Sequence, residues 1–353
     1  MRELAFRAMG SHMLAVIDRD DTQTDAQLAA VPGWFEAWEQ QFSRFRADSD
    51  LARLNAPDGR PVVVPSALWQ VIGVALDAAQ QSDGLVRPTM LDALEAAGYD
   101  RSFDTIDQGR ADTIYRVRTN DERNMVARVS AAGAAERPPS LVLRPSSSDW
   151  RTITLDKRTH AVTLPAGVRL DLGGVAKGWA ADQAMRRLAA TGPALVDAGG
   201  DIAVSGPMAD EAPWPIAIAN PFAPDDSLGL LLLVRGAVAT SGRDYRHWRR
   251  DGVEQHHIID PRTGRPAQTD VLAATIVAPD GPSAEVAAKV ALILGSRVGL
   301  AWLDARPTLA GLLVLQDGQI LLSRRMDAYL DQTTIHTRAA TTRGGARREE
   351  CSS

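Results

Sequence analysis

The chain has 353 residues, of which 45% are hydrophobic and 24% charged, with a net charge of −5 at pH 7. That composition belongs to a globular protein long enough for a substantial core, and the negative balance argues against a general nucleic-acid binder. The single cysteine, Cys351, cannot form an internal disulfide. The N-terminus lacks a signal-peptide-like apolar run, and no stretch reaches the ~18 apolar residues of a membrane span. A cytoplasmic location is therefore the expectation.

Residues 4–18 alternate apolar and polar and read as one strand interrupted at Met9-Gly10-Ser11. Over residues 25–45, Leu28, Val31, Trp34, Phe35, Trp38, Phe42 and Phe45 recur mostly at helical spacing, and Pro32-Gly33 predicts a break or restart in that helix. Asp48 or Ser49 suits the cap of a further short helix, and Pro65-Ser66 opens another with Leu68, Val71, Ile72 and Ala75 inward. Gly84 to Thr89 forms a turn. Residues 132–148, rich in Ala, Pro and Ser, predict a surface excursion. Residues 152–155 and 161–164 form a predicted hairpin.

A strand is expected to end at Asp171-Leu172, with a helix starting on Gly173-Gly174 and running to about Ala190. A glycine-rich helix start presents free N–H groups and suits an anion. The spacing is neither that of a Walker loop nor GxGxxG. Ala194 to Ile202 is a second strand leading to a glycine turn, and residues 213–219, 230–234 and 272–278 read as further strands. Ser283 is the expected cap of a helix stopping at Gly295. Residues 310–315 and 319–322 predict a hairpin around Asp317-Gly318. From Thr337 onward no large apolar residue remains, which predicts a disordered tail over 337–353.

The densest chemistry lies between Thr240 and Lys289. It contains Thr240-Ser241-Gly242 and His257-Ile258-Ile259-Asp260-Pro261-Arg262-Thr263-Gly264. His257 suits a general base, because imidazole accepts a proton near neutral pH. The adjacent His256 should face the other way on a strand. Asp260 either orients His257 or shapes the Asp-Pro-x-Thr-Gly turn, and the turn is favoured.

Four motifs occur together in order: Met9-Gly10; Phe42 to Ser49; Asp171-Leu172-Gly173-Gly174-Val175-Ala176-Lys177-Gly178; and Thr240-Ser241-Gly242 with His257 to Gly264. In this order and spacing the chain resembles the ApbE-type flavin transferases over roughly residues 4–325. The resemblance implies an α+β fold with mixed sheets, packed helices and an FAD cleft between two sub-regions, all within one domain over 1–336. It implies transfer of FMN from FAD to a Thr or Ser hydroxyl of a partner flavoprotein, with release of AMP. A Ser/Thr-Gly-Ala-Thr-like target segment is expected in the partner. The match places Met9, Phe45, Leu85, Val86, Arg87, Asp171, Lys177 and Ile259 at FAD. It places Mg²⁺ at Gly174, through its carbonyl, and at Glu285.

The chain departs from the family pattern in three places. Glu285 and Lys289 stand where the family has Asp and Thr, and Arg87 stands where Asp is common. Lys289 then either takes over part of the cation's role at the phosphates, or forms an ordinary i,i+4 pair with Glu285 at a site that has lost its metal. The alternatives for the whole chain are a non-catalytic FAD-binding protein and an FAD pyrophosphatase.

Overall fold

The structure is a computed structural model and describes residues 1–56, 59–106, 124–125, 149–223, 225–250, 253–333 and 335–336. The predicted excursion at 132–148 and the tail from 337 lie outside the described residues.

The frame is one sheet of eight strands: β1 (Arg2–Ala8), β2 (Ser11–Ile17), β3 (Ala194–Ala198), β4 (Asp201–Val204), β5 (Gly236–Gly242), β6 (Val271–Ala278), β7 (Ala310–Leu315) and β8 (Ile320–Leu322). Their order across the sheet is their order in the chain, and every neighbouring pair is antiparallel. All the α-helices among the described residues are inserted between consecutive strands. The largest insertion, between β2 and β3, carries α1 (Thr22–Phe42), α2 (Asp50–Leu54), α3 (Ser66–Gln81), α4 (Leu91–Ala96), α5 (Phe103–Ile106) and α6 (Ala176–Leu188). Between β6 and β7 lie α7 (Gly281–Leu294) and α8 (Ser296–Asp304).

Alternation along the strands divides the core in two. Ala15, Ala198, Ala203, Ala239, Ala274 and Ile276 face the helical side. Val16, Leu195, Ile202, Val238, Val277 and Leu312 face the other side, under a hairpin of residues 214–219 and 227–233. Small side chains on the helical face let α6 and α7 sit close to the sheet. The two helices touch through glycine: a Cβ on Gly281 would stand 2.2 Å from the Gly178 carbonyl oxygen.

Several expectations hold. Ser49 caps α2, accepting from Ala52 N at 2.9 Å, and the hairpins at 154–163 and 310–322 form. Other readings are corrected. The interruption at Met9-Gly10 is a complete reversal, with Ala8 opposite Ser11 and both turn residues at positive φ (49° and 64°). Helix α1 does not break at Pro32; burial of Leu28, Val31, Phe35, Trp38 and Phe42 on one face outweighs the lost backbone bond. Residues 168–172 are not a strand. Asn55 satisfies both Leu170 N (2.7 Å) and Leu170 O (2.8 Å), and Asp171 N donates to Pro88 O, which replaces a strand neighbour. Helix α6 accordingly starts at Ala176, after the glycine turn. Asp280, not Ser283, caps α7, accepting from Ser283 N at 2.8 Å. Among the described residues no helix is long and apolar enough to cross a membrane.

Candidate active site

A cleft of about 270 Å³ opens between the β2–β3 insertion and the loop that follows β5. Ten of the eleven residues singled out from sequence line it. Met9 comes from the β1–β2 turn, Phe45 from the loop after α1, which ends at Phe42 and not at Phe45 as its apolar stripe predicts, and Leu85, Val86 and Arg87 from the turn after α3. Asp171 and Gly174 come from the loop before α6, Lys177 from the first turn of that helix, and His257 and Ile259 from the far wall. The eleventh, Glu285, is buried behind the wall.

Local chemistry fixes each contributor. Met9 N donates to Glu39 Oε2 at 2.7 Å, which anchors the reversed turn against α1. Ser82 Oγ accepts from Val86 N at 3.0 Å and closes the Asp83-Gly84 turn, where both residues have positive φ. Phe45 is exposed and lies 5.6 Å from Tyr99, ring centroid to centroid. The Arg44 guanidinium sits over both rings, 4.1 Å from Phe45 and 4.6 Å from Tyr99. Its Nε pairs with Asp171 Oδ2 at 2.8 Å, and Asp171 Oδ1 accepts from Gly173 N at 3.0 Å. Arg44 Nη2 is buried and has no hydrogen-bond partner. Burial lowers the Arg87 pKa.

The inner end of the cleft is ionic. Lys177 pairs with buried Asp201. Burial alone would lower the Lys177 pKa, but the charges of Asp201 and Glu285 outweigh it and raise it. Burial pushes Asp201 up to about 6, against the pull of Lys177. Lys289 Nζ pairs with Glu285 Oε1 at 2.9 Å, while Glu285 Oε2 accepts from Gly178 N at 3.0 Å. Asp197 accepts from Gly200 N at 2.7 Å, and burial raises it to about 7.

His257 meets this cluster from the opposite side. Burial, followed by the charge of Arg246, holds its pKa well below 6.5, so the ring is neutral at physiological pH. Its Nδ1 lies 3.4 Å from the Arg246 carbonyl, which makes Nδ1–H the donor and leaves the lone pair on Nε2. His256 is structural: Nδ1 accepts from Ile258 N at 3.3 Å and Nε2–H donates to Ala267 O at 2.9 Å. Asp260 belongs to the turn, since its carboxylate is taken by Arg262 Nε (2.8 Å) and Nη2 (2.7 Å).

Sequence reading missed Arg44, Tyr99 and Arg246. Arg44 and Arg246 lie inside or just beyond quoted motifs, so a signal existed. Tyr99 is brought in only by the fold, with Arg246 Nη1 3.5 Å from its hydroxyl.

A divalent cation finds a poor site here. Both Glu285 oxygens are engaged, one by an ammonium, and Glu285 is on the wall of neither the cleft nor the chamber beside it. Among the described residues no group of three His, Cys, Asp or Glu side chains converges.

The sequence profile of the ApbE family matches residues 9–313. The chain belongs to the ApbE family. An FAD:protein FMN transferase of Treponema pallidum (strain Nichols) is 32% identical over 325 residues, covering 86% of this chain and 81% of that protein. Another from Klebsiella pneumoniae (strain 342) is 32% identical over 321 residues, covering 89% of each. The crystal structure of the ApbE protein of Thermotoga maritima superposes with a TM-score of 0.75 at 25% identity, over 94% of this chain and 99% of that one. The expected α+β ApbE fold is therefore the fold observed.

Proposed function

We propose that this chain is an FAD:protein FMN transferase, moving FMN from FAD to a Thr or Ser hydroxyl of an acceptor flavoprotein and releasing AMP. One observation carries the reading: an aromatic cleft leads to a neutral His257 facing two lysines, in a chain of the ApbE family. Exposed Phe45, backed by buried Tyr99, offers a ring to an aromatic part of FAD. Lys177, Lys289 and Arg246 bring positive charge to the end where a pyrophosphate would sit. His257 Nε2 takes the proton of the incoming hydroxyl. Phosphoryl transfer asks little else of a protein than position and charge, and this cluster supplies both.

The Mg²⁺ site implied at Gly174 and Glu285 does not fit the arrangement, because Lys289 occupies the carboxylate that would bind the ion. The ammonium groups of Lys177 and Lys289 take that electrostatic role. The non-catalytic FAD binder and the FAD pyrophosphatase are not favoured, since the family relatives bear the transferase name.

Chromatography of FAD incubated with the protein, with and without an acceptor domain and with EDTA or Mg²⁺, tests the reading. AMP should appear only with acceptor and persist in EDTA. AMP and free FMN without acceptor would identify a hydrolase, intact bound FAD a carrier. Strict dependence on Mg²⁺ would overturn the lysine assignment while leaving the transferase standing.

A further inference from the structure

Behind His257 the cleft adjoins a second chamber of about 100 Å³. Its own lining includes Asn220, Pro221, Thr240, Ser241, Gly242 and Asp244. Gly173, Lys177, Arg246, His257 and Lys289 line both spaces and form their common wall. The Thr240-Ser241-Gly242 motif and Asp244 have no place in the larger cleft, so the FAD reading leaves them unexplained.

We propose that the smaller chamber is the acceptor port: it receives the hydroxyl-bearing side chain of an extended segment of the acceptor protein and delivers it to His257. This inference rests on the transferase reading. Three features favour it. The common wall makes a group held there reachable from two directions, as an in-line displacement at phosphorus requires of attacking and departing oxygens. The chamber is much smaller than the cleft, about 100 Å³ against 270 Å³, and hydroxyl, amide and carboxylate groups line it beside the Tyr245 ring, which suits one polar side chain and not a nucleotide. Finally, Phe222, next to Pro221 and Asn220 in the chain, is 54% exposed. Its backbone N–H is held by Asn220 Oδ1 at 3.0 Å, so the ring is carried on an ordered turn beside the chamber. A small ligand inside the chamber would not need that ring; a protein surface entering it would cover it.

The step balances. The acceptor oxygen forms a new P–O bond to the phosphorus that carries the flavin half. Its proton passes to His257 Nε2 and then to solvent. The P–O bond to the bridging oxygen breaks, and AMP departs with that oxygen and its electron pair.

The test uses the full chain and an acceptor domain carrying a Ser-Gly-Ala-Thr segment, together with its Thr→Ala version. Phe222→Ser changes an exposed side chain, and Ser241→Leu fills the chamber. Each should raise the acceptor KM by about tenfold and leave the FAD Kd within about twofold, the loss expected for removing an interface anchor. FAD binding by the same variants reports that they are folded. A photo-crosslinking amino acid at position 222 should capture the acceptor domain. An unchanged acceptor KM for Phe222→Ser, without crosslinking at 222, would overturn the proposal. So would FAD affinity falling in step with the acceptor KM, which would assign the chamber to the nucleotide. If the unaltered chain transfers nothing to the acceptor, the transferase reading itself falls and this inference with it.

Discussion

The two chambers that meet at His257 are built in different ways. The larger is walled by loops of the β2–β3 insertion, where Phe45, Tyr99 and Arg44 hold one another through side-chain contacts. The smaller is walled by strand ends of the main sheet. Ser241 stands opposite Ala274 in register, Thr240 opposite Thr275, and the two threonine hydroxyls lie 2.9 Å apart. Inserted loops can vary to fit a ligand, whereas registered strands hold a group in place. The contrast separates recognition of FAD, carried by the loops of the insertion, from chemistry, carried by Lys177 and Lys289 on the two helices pressed onto the sheet and by His257 on the loop that follows β5.

Substitutions can break this contrast at chosen points. The largest effect belongs to the common wall. His257→Ala should lower transfer by about 10²–10⁴-fold, the usual worth of a general base, with FAD affinity kept. Stopped-flow transfer and fluorescence titration separate the two, and an equal loss of both would make His257 a binding or folding residue. Next comes the rigid frame. Gly281→Ala drives a Cβ against the Gly178 carbonyl and should destabilise by about 1–3 kcal/mol in urea unfolding. It should also displace Glu285 and Lys289 on the same helix and lower the transfer rate more than FAD affinity. Within the larger chamber alone, Phe45→Ala should weaken FAD by about 0.5–1.5 kcal/mol, read by titration, without changing the acceptor KM.

The smallest effect is on pH. Burial raises Asp182 to about 6 and Asp197 to about 7, from 3.8. Between 3.8 and those values the folded chain holds protons that the unfolded chain has released. Their contribution to stability is thus full below 3.8 and is lost as pH rises through about 6 and 7. The melting temperature should fall from pH 5 to pH 8 by less in Asp197→Asn than in the unaltered chain; identical slopes would contradict the assignment.

The same contrast marks what could be read from the residues alone. Helices α1 and α3 were visible in their apolar stripes, and the hairpin at Asp317-Gly318 in its turn, because these are local patterns. The motif order carried the family and ten of the cleft's residues. The reversal at Met9-Gly10 was hidden because Met gives no turn signal; its positive φ is held by Glu39, thirty residues away. Residues 168–172 look like a strand by composition, and only Asn55, 115 residues distant, decides otherwise. The smaller chamber was invisible for the same reason, since it joins Asn220, Thr240 and Lys177 through sheet register and helix packing. Side chains whose partners are local announced themselves; those whose partners are distant did not.

The most direct measurement is the intact mass of the acceptor domain after incubation with FAD and this protein in EDTA. The account predicts a single added FMN group, lost in the Thr→Ala acceptor, with one AMP released per acceptor modified. An acceptor of unchanged mass beside intact FAD, in EDTA and in Mg²⁺ alike, would contradict it.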